Sequence, residues 1–119
     1  MDKLETIFEW QKKFDDEIIK KRNFDDIKME EWIQKEVLAM LSELSELLDE
    51  VNFKWWKNPK EIDINLVQGE LVDILHFFVS MCIKTGMDAE LLCRMYMEKN
   101  KENFMRQSGK SDKKGYEMV

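Results

Sequence analysis

Residues 69–83 read GELVDILHFFVSMCI. Apolar residues dominate the run, yet Glu70 and Asp73 are set into it. A helix that is apolar round most of its circumference is buried on most sides. A carboxylate carried into such surroundings is costly unless something pairs with it. At about 100° per residue, a broad apolar arc centres on Leu71, Leu75, Phe78 and Cys82. Opposite it runs a narrow stripe of Glu70, Asp73, Phe77 and Ser80, with His76 at its edge.

The same periodicity extends to the rest of the chain. A first helix is expected over about 3–21, with Leu4, Ile7, Phe8, Phe14 and Ile18 at helical spacing. A second is expected over about 30–52, with Val37, Met40, Leu41, Leu44, Leu48 and Val51 on one face. The acidic run belongs to a third helix over about 64–84, capped by Asp63 or Asn65. Asp88 is a good N-cap for a fourth, ending near residue 106. Four Gly and one Pro leave little turn material, and breaks fall near Arg22–Lys28, Asn58–Asp63, Thr85–Gly86 and after Gln107. The expected fold is all-α, a four-helix bundle-like protomer. It forms a single domain over 1–107, followed by a mobile basic tail over 108–119. The third helix takes a central position, and a partner subunit supplies part of its cover.

The second helix carries its own acidic pair. Glu43 and Glu46 are three residues apart in SELSELLDE, with Glu50 one turn on. The chain therefore holds ExxE, 23 intervening residues, then ExxD at Glu70 and Asp73. Pairs at this spacing point the same way, and antiparallel packing of the two helices brings the four acids together. Four adjacent carboxylates do not all stay ionised without a counter-charge. A hard divalent cation such as Mg²⁺ supplies one, prefers oxygen ligands and bridges to phosphates. Acidic pairs on a solvated helix face are common, and the second helix alone would read that way. The third does not, because its acids interrupt an apolar segment.

Polar residues elsewhere admit two readings each. Gln11 lies at the centre of a stripe with Leu4, Ile7, Phe8, Phe14, Asp15 and Ile18. It either bonds neighbouring backbone or reads a base edge. Phe77, on the acidic stripe, is either core or a stacking surface for a nucleobase. Trp55, Trp56 and Lys57 in FKWWKNP either pack under a loop or touch a ligand. On the fourth helix Leu92, Met95 and Tyr96 begin a stripe that continues through Lys99, Asn103 and Arg106. Its cations suit the helix macrodipole and equally an anion.

Composition excludes several classes. Hydrophobic residues at 44% and charged residues at 37% suit a folded globular chain. A formal charge of −6 argues against general binding to nucleic acid polymers. Cys82 and Cys93 lack disulfide or zinc spacing and read most simply as buried thiols in a reducing compartment. The N-terminus has no apolar signal region, and the run 71–83 is too short to span a bilayer. A cytoplasmic protein with no membrane association is expected. A single histidine rules out a multi-histidine metal site, and no Walker loop or GxGxxG is present.

Taken in order, the stretches FEWQKKFDDEI (8–18), EWIQKEVLAMLSELSELLDEVNFKWWKN (31–58), ELVDILHFFVS (70–80) and YMEKNKENFMRQSGKSDKKGY (96–116) resemble the all-α nucleotide pyrophosphohydrolases of the MazG-like superfamily. Within it they are most similar to the dimeric dUTPases. The resemblance rests on ExxE and ExxD together with Q-x-x-F-D, W-W-K-N, D-x-x-H-F and K-N-x-x-N-x-x-R-Q in that order. It implies hydrolysis of dUTP, and of dUDP, to dUMP. For the triphosphate the other product is pyrophosphate. Another nucleotide, such as dCTP or a damaged purine, is the alternative substrate. A non-catalytic helical interaction module is the alternative to an enzyme. The resemblance also implies Mg²⁺, more than one ion per site, on Glu43, Glu46, Glu70 and Asp73, with Glu43 or Glu46 activating the attacking water. It places Gln11, Trp55, Trp56, His76 and Phe77 at the nucleoside, and Lys57, Lys99, Asn103, Arg106 and Tyr116 at the phosphates. The expected assembly is a homodimer, or a tetramer. The N-terminal pattern departs from the commonest one, which carries Asn near Asp15.

Overall fold

The structure, a computed structural model, describes residues 1–118. It is all-α: α1 spans Lys3–Arg22, α2 Met29–Glu50, α3 Ile64–Lys84 and α4 Ala89–Gln107, with no strand among the described residues. The chain divides into two compact units, Met1–Gly86 and Met87 onward.

Local chemistry sets the helix ends. Asp2, Asp63 and Asp88 each accept a hydrogen bond from a backbone N–H in the first turn, at 2.8, 2.9 and 2.8 Å. Each satisfies one of the donors that a helix start leaves unpaired. α2 starts at Lys28 without a side-chain cap, but Glu30 and Glu31 lie in its first turn, where they complement the dipole. α1 ends in a left-handed residue, Asn23 (φ 57°), and α3 is followed by Gly86 (φ 86°).

In the first unit α3 packs on both α2 and α1, more extensively on α2. Among the described residues the buried apolar side chains of this unit are few: Phe8 on α1, and Val79 and Cys82 on α3. The apolar arc of α3 is not buried as a whole, since Leu71, Val72, Leu75 and Phe78 remain exposed. Two neighbouring helices cannot wrap a helix that is apolar over most of its circumference. α3 is also longer than its apolar run 71–83 suggested. Its 21 residues are long and apolar enough, by length and composition, to cross a membrane. That corrects the expectation based on the shorter run.

The loop between α2 and α3 is held by Asn52, in left-handed conformation. Its side chain bonds both the carbonyl and the N–H of Lys60, each at 2.9 Å. In the second unit Cys93 is exposed, where a buried thiol was expected. It lies on α4, whose Met95 and Tyr96 are exposed as well. Residues 108–118 fold back on the end of α4. Lys110 N–H bonds Met105 O at 2.8 Å, Met118 N–H bonds Gln107 O at 3.0 Å, and buried Ser111 donates to Glu102.

Candidate active site

Packing of α2 against α3 joins the two acidic pairs. Carboxylate oxygens of Glu43, Glu46 and Glu70 all lie within 4.8 Å of one another. One oxygen each of Glu43 and Glu70 is buried and has no hydrogen-bond partner among the described residues. Burial, with the adjoining Glu43 and Glu46 acting in the same direction, pushes the Glu70 carboxyl up to about 7. Three converging carboxylates, two of which carry an unsatisfied buried oxygen, match what a Mg²⁺-sized cation takes. Asp73, the fourth expected ligand, is exposed and is not in this triad. It lines the adjoining cavity together with Glu43.

That cavity, of about 500 Å³, runs among α1, α2 and α3. Phe77 and His76 line it, as the α3 stripe predicted, and so does Gln11. Gln11 is buried and its amide is oriented by two side chains. Its NH₂ donates to Asp15 at 2.9 Å, and its carbonyl oxygen accepts from His76 Nδ1 at 2.7 Å. Neither partner is the backbone that sequence suggested. One amide hydrogen remains for a ligand.

The far end of the cavity holds a group that sequence reading missed: Trp32, Glu36 and Lys84, joined through Ser80 and Asp15. Lys84 Nζ donates to Glu36 at 2.7 Å and to Ser80 at 2.8 Å, and lies 4.1 Å from the centroid of the Trp32 ring. Ser80 Oγ is within hydrogen-bond reach of both Glu36 and Asp15. The available signal was heptad spacing. Glu36 precedes Glu43 by seven residues, and Ser80 follows Asp73 by seven, so each pair shares a helix face.

The expected residues of the α2–α3 loop lie outside this cavity. Trp55, 85% exposed, and Trp56 stack edge to face in the α2–α3 loop and do not line this cavity. Lys57 lines a separate hollow with Asp49, Asn52, Lys54 and Lys60. In the second unit Lys99 and Asn103 are exposed. Arg106 pairs with Glu102 at 3.1 Å and lies 5.5 Å from the Tyr116 ring centroid.

A family model described as dUTPase matches residues 3–90. The chain belongs to the dUTPase family. The match covers the acidic triad and the whole cavity lining and stops short of Lys99. Among curated proteins, a dCTP pyrophosphatase of Enterobacteria phage T4 is 37% identical over 87 residues, 61% of this chain and 51% of that protein. A dCTP pyrophosphatase of Enterobacteria phage LZ5 is 34% identical over 74 residues, 62% of this chain and 43% of that protein. The chain thus spans about half the length of these relatives or less. No solved structure matches it.

Proposed function

We propose that this dUTPase-family chain hydrolyses a deoxypyrimidine triphosphate to its monophosphate and pyrophosphate, with Mg²⁺. The observation that carries the reading is the triad of Glu43, Glu46 and Glu70, with its unsatisfied buried oxygens, beside a cavity able to hold a nucleoside. Glu43, Glu46 and Glu70 would hold Mg²⁺, with Asp73 on the adjoining cavity wall, and the bound ion would supply charge neutralisation at the phosphates and acidify water. Glu43 or Glu46 accepts the proton of the attacking water. Ser80 is tied into hydrogen bonds and is not offered as a nucleophile. Phe77 gives the base an aromatic face, and the Gln11–His76 pair fixes the direction of the remaining amide donor. The family resemblance assigns Lys99, Asn103, Arg106 and Tyr116 to the phosphates; Lys57, Trp55 and Trp56, which do not line the cavity, are given no contact with the nucleotide.

The family's name points to dUTP, with dUDP as a second substrate, and the relatives' names point to dCTP. Both are candidates, and their bases differ in the group at position 4 and in the proton at N3. The working form is a homodimer in the cytoplasm, free of membrane. Its support is the apolar surface that α2 and α3 leave exposed. Incubation with dUTP, dCTP, dTTP and UTP, with and without Mg²⁺, tests the reading. The expected products are a deoxypyrimidine monophosphate and pyrophosphate, formed only with metal. No turnover of any of the four overturns it.

A further inference from the structure

Glu36 is 7% exposed, and one of its carboxylate oxygens, Oε2, is buried without a hydrogen-bond partner among the described residues. Its other oxygen, Oε1, takes Lys84 and Ser80. A buried acceptor left unmet loses its hydration without compensation, and this one belongs to a residue that lines the cavity. The neighbouring hydroxyl is already committed and does not make up the shortfall at Oε2. Ser80 has one hydroxyl proton and stands between two acceptors, Glu36 and Asp15 Oδ2, the latter at 2.7 Å. One of the two is therefore unserved by Ser80 at any moment. This end of the cavity asks a ligand for N–H donors.

Position says which part of a ligand arrives there. Glu36 and Glu43 share the cavity-lining face of α2, two turns apart, roughly 10 Å along the axis. That span is of the order of the distance from a nucleotide's α-phosphate to the far edge of its base. With the phosphates at the Glu43–Glu46–Glu70 triad, the base edge reaches Glu36. Cytosine presents an amino donor at ring position 4, and a carboxylate is a natural acceptor for it. Uracil and thymine present a carbonyl oxygen at the same position. An oxygen set against the free oxygen of Glu36 has no proton between them.

We propose that Glu36 selects the base: its free oxygen accepts the 4-amino group of cytosine and disfavours the 4-oxo group of uracil. The inference rests on the reading of the cavity as a nucleotide site, and makes dCTP the preferred substrate of the two candidates. Lys84 and Trp32 act as positioning residues. The ion pair fixes one oxygen of Glu36 and so leaves the other for the ligand.

The test uses monophosphates, which need no turnover. Titration of the full chain with dCMP and with dUMP, in Mg²⁺, should show dCMP bound about tenfold more tightly or better. The Glu36→Gln variant offers an amide hydrogen in place of a second acceptor and should bring the two affinities together or reverse them. A third ligand guards against a variant that fails to fold. dCMP with both 4-amino hydrogens replaced by methyl groups should bind the wild type no better than dUMP does. The proposal is overturned if the wild type fails to prefer dCMP, or if a folded Glu36→Gln protein keeps the preference. It is overturned too if the dimethylated ligand binds as dCMP does. A dCMP preference that responds to Glu36, in a protein that cleaves no triphosphate, would sustain this inference while sinking the pyrophosphohydrolase reading.

Discussion

Glu70 sits against two glutamates of α2 with one oxygen cut off from any donor. Its proton is held up to about 7, against an ordinary 4.5. In the metal-free protein the folded state therefore retains a proton that the unfolded chain gives up. Its contribution favours folding in full below pH 4.5 and is lost as pH rises through 7. Between those values, the wild type in a chelator should lose melting temperature relative to Glu70→Gln, whose side chain cannot ionise. Parallel melting curves across that window would show that Glu70 does not bear the strain. Added Mg²⁺ should reverse the order near pH 8. A ligand that binds only the folded state stabilises it by mass action, and the variant has lost a donor. Turnover by Glu70→Gln should collapse. Asp73→Asn makes a milder companion. The residue is exposed and stands apart from the triad, so metal-free stability should hold while activity falls. A variant melting several degrees lower, yet gaining fully from Mg²⁺, would assign Asp73 to the fold.

At the scale of the helix, buried Gln11 makes one polar link of α1 to α3, through His76, and Asp15 makes another, through Ser80. Gln11→Ala removes that bond and the one to Asp15. It should cost about 1–3 kcal/mol of stability, the range for stranding buried polar groups. Faster hydrogen exchange should be confined to α1, and unchanged exchange there would mean that apolar packing and the Asp15–Ser80 bond hold the helix without Gln11. The helix limits themselves were legible in sequence, because Asp63 and Asp88 announce their caps and the apolar spacing fixes the faces. The acidic pairs were legible for the same reason. Depth along a face was not. Lys84 at the end of α3 reads as a cation suited to the macrodipole, and Glu36 reads as one more solvated acid in EEWIQKE. Only the packing of α3 against α2 and α1 shows that Lys84, Glu36, Ser80 and Asp15 meet. Asp73 illustrates the converse. Its three-residue spacing from Glu70 gives direction, but the side chain stands outside the cluster that the other three acids form.

For the molecule as a whole, what stands out is how much apolar surface a single copy leaves in water. Leu38 is 66% exposed, and Leu41, Leu71, Val72 and Phe14 are each exposed as well. Among the described residues the largest side chains that are wholly buried are no bigger than Val79 and Ser80. Exposed apolar area on this scale marks an association surface, and burying it contributes about 25 cal/mol per Å². Stability should then belong to the assembly rather than to the lone chain, because an obligate dimer gains stability with concentration. The expected result is a dimer mass in solution and a melting temperature that climbs as protein concentration is raised tenfold and a hundredfold. Leu38→Lys, on α2 and away from every residue lining the cavity, should shift the mass toward monomer and lower the melting temperature. Mg²⁺ should still protect the monomer that remains folded, since Glu43, Glu46 and Glu70 come from one chain. A monomeric wild type whose melting temperature ignores concentration would remove the dimer from the proposed function and leave the triad untouched. Protection by Mg²⁺ that vanishes with the dimer would mean that the second copy completes the metal site.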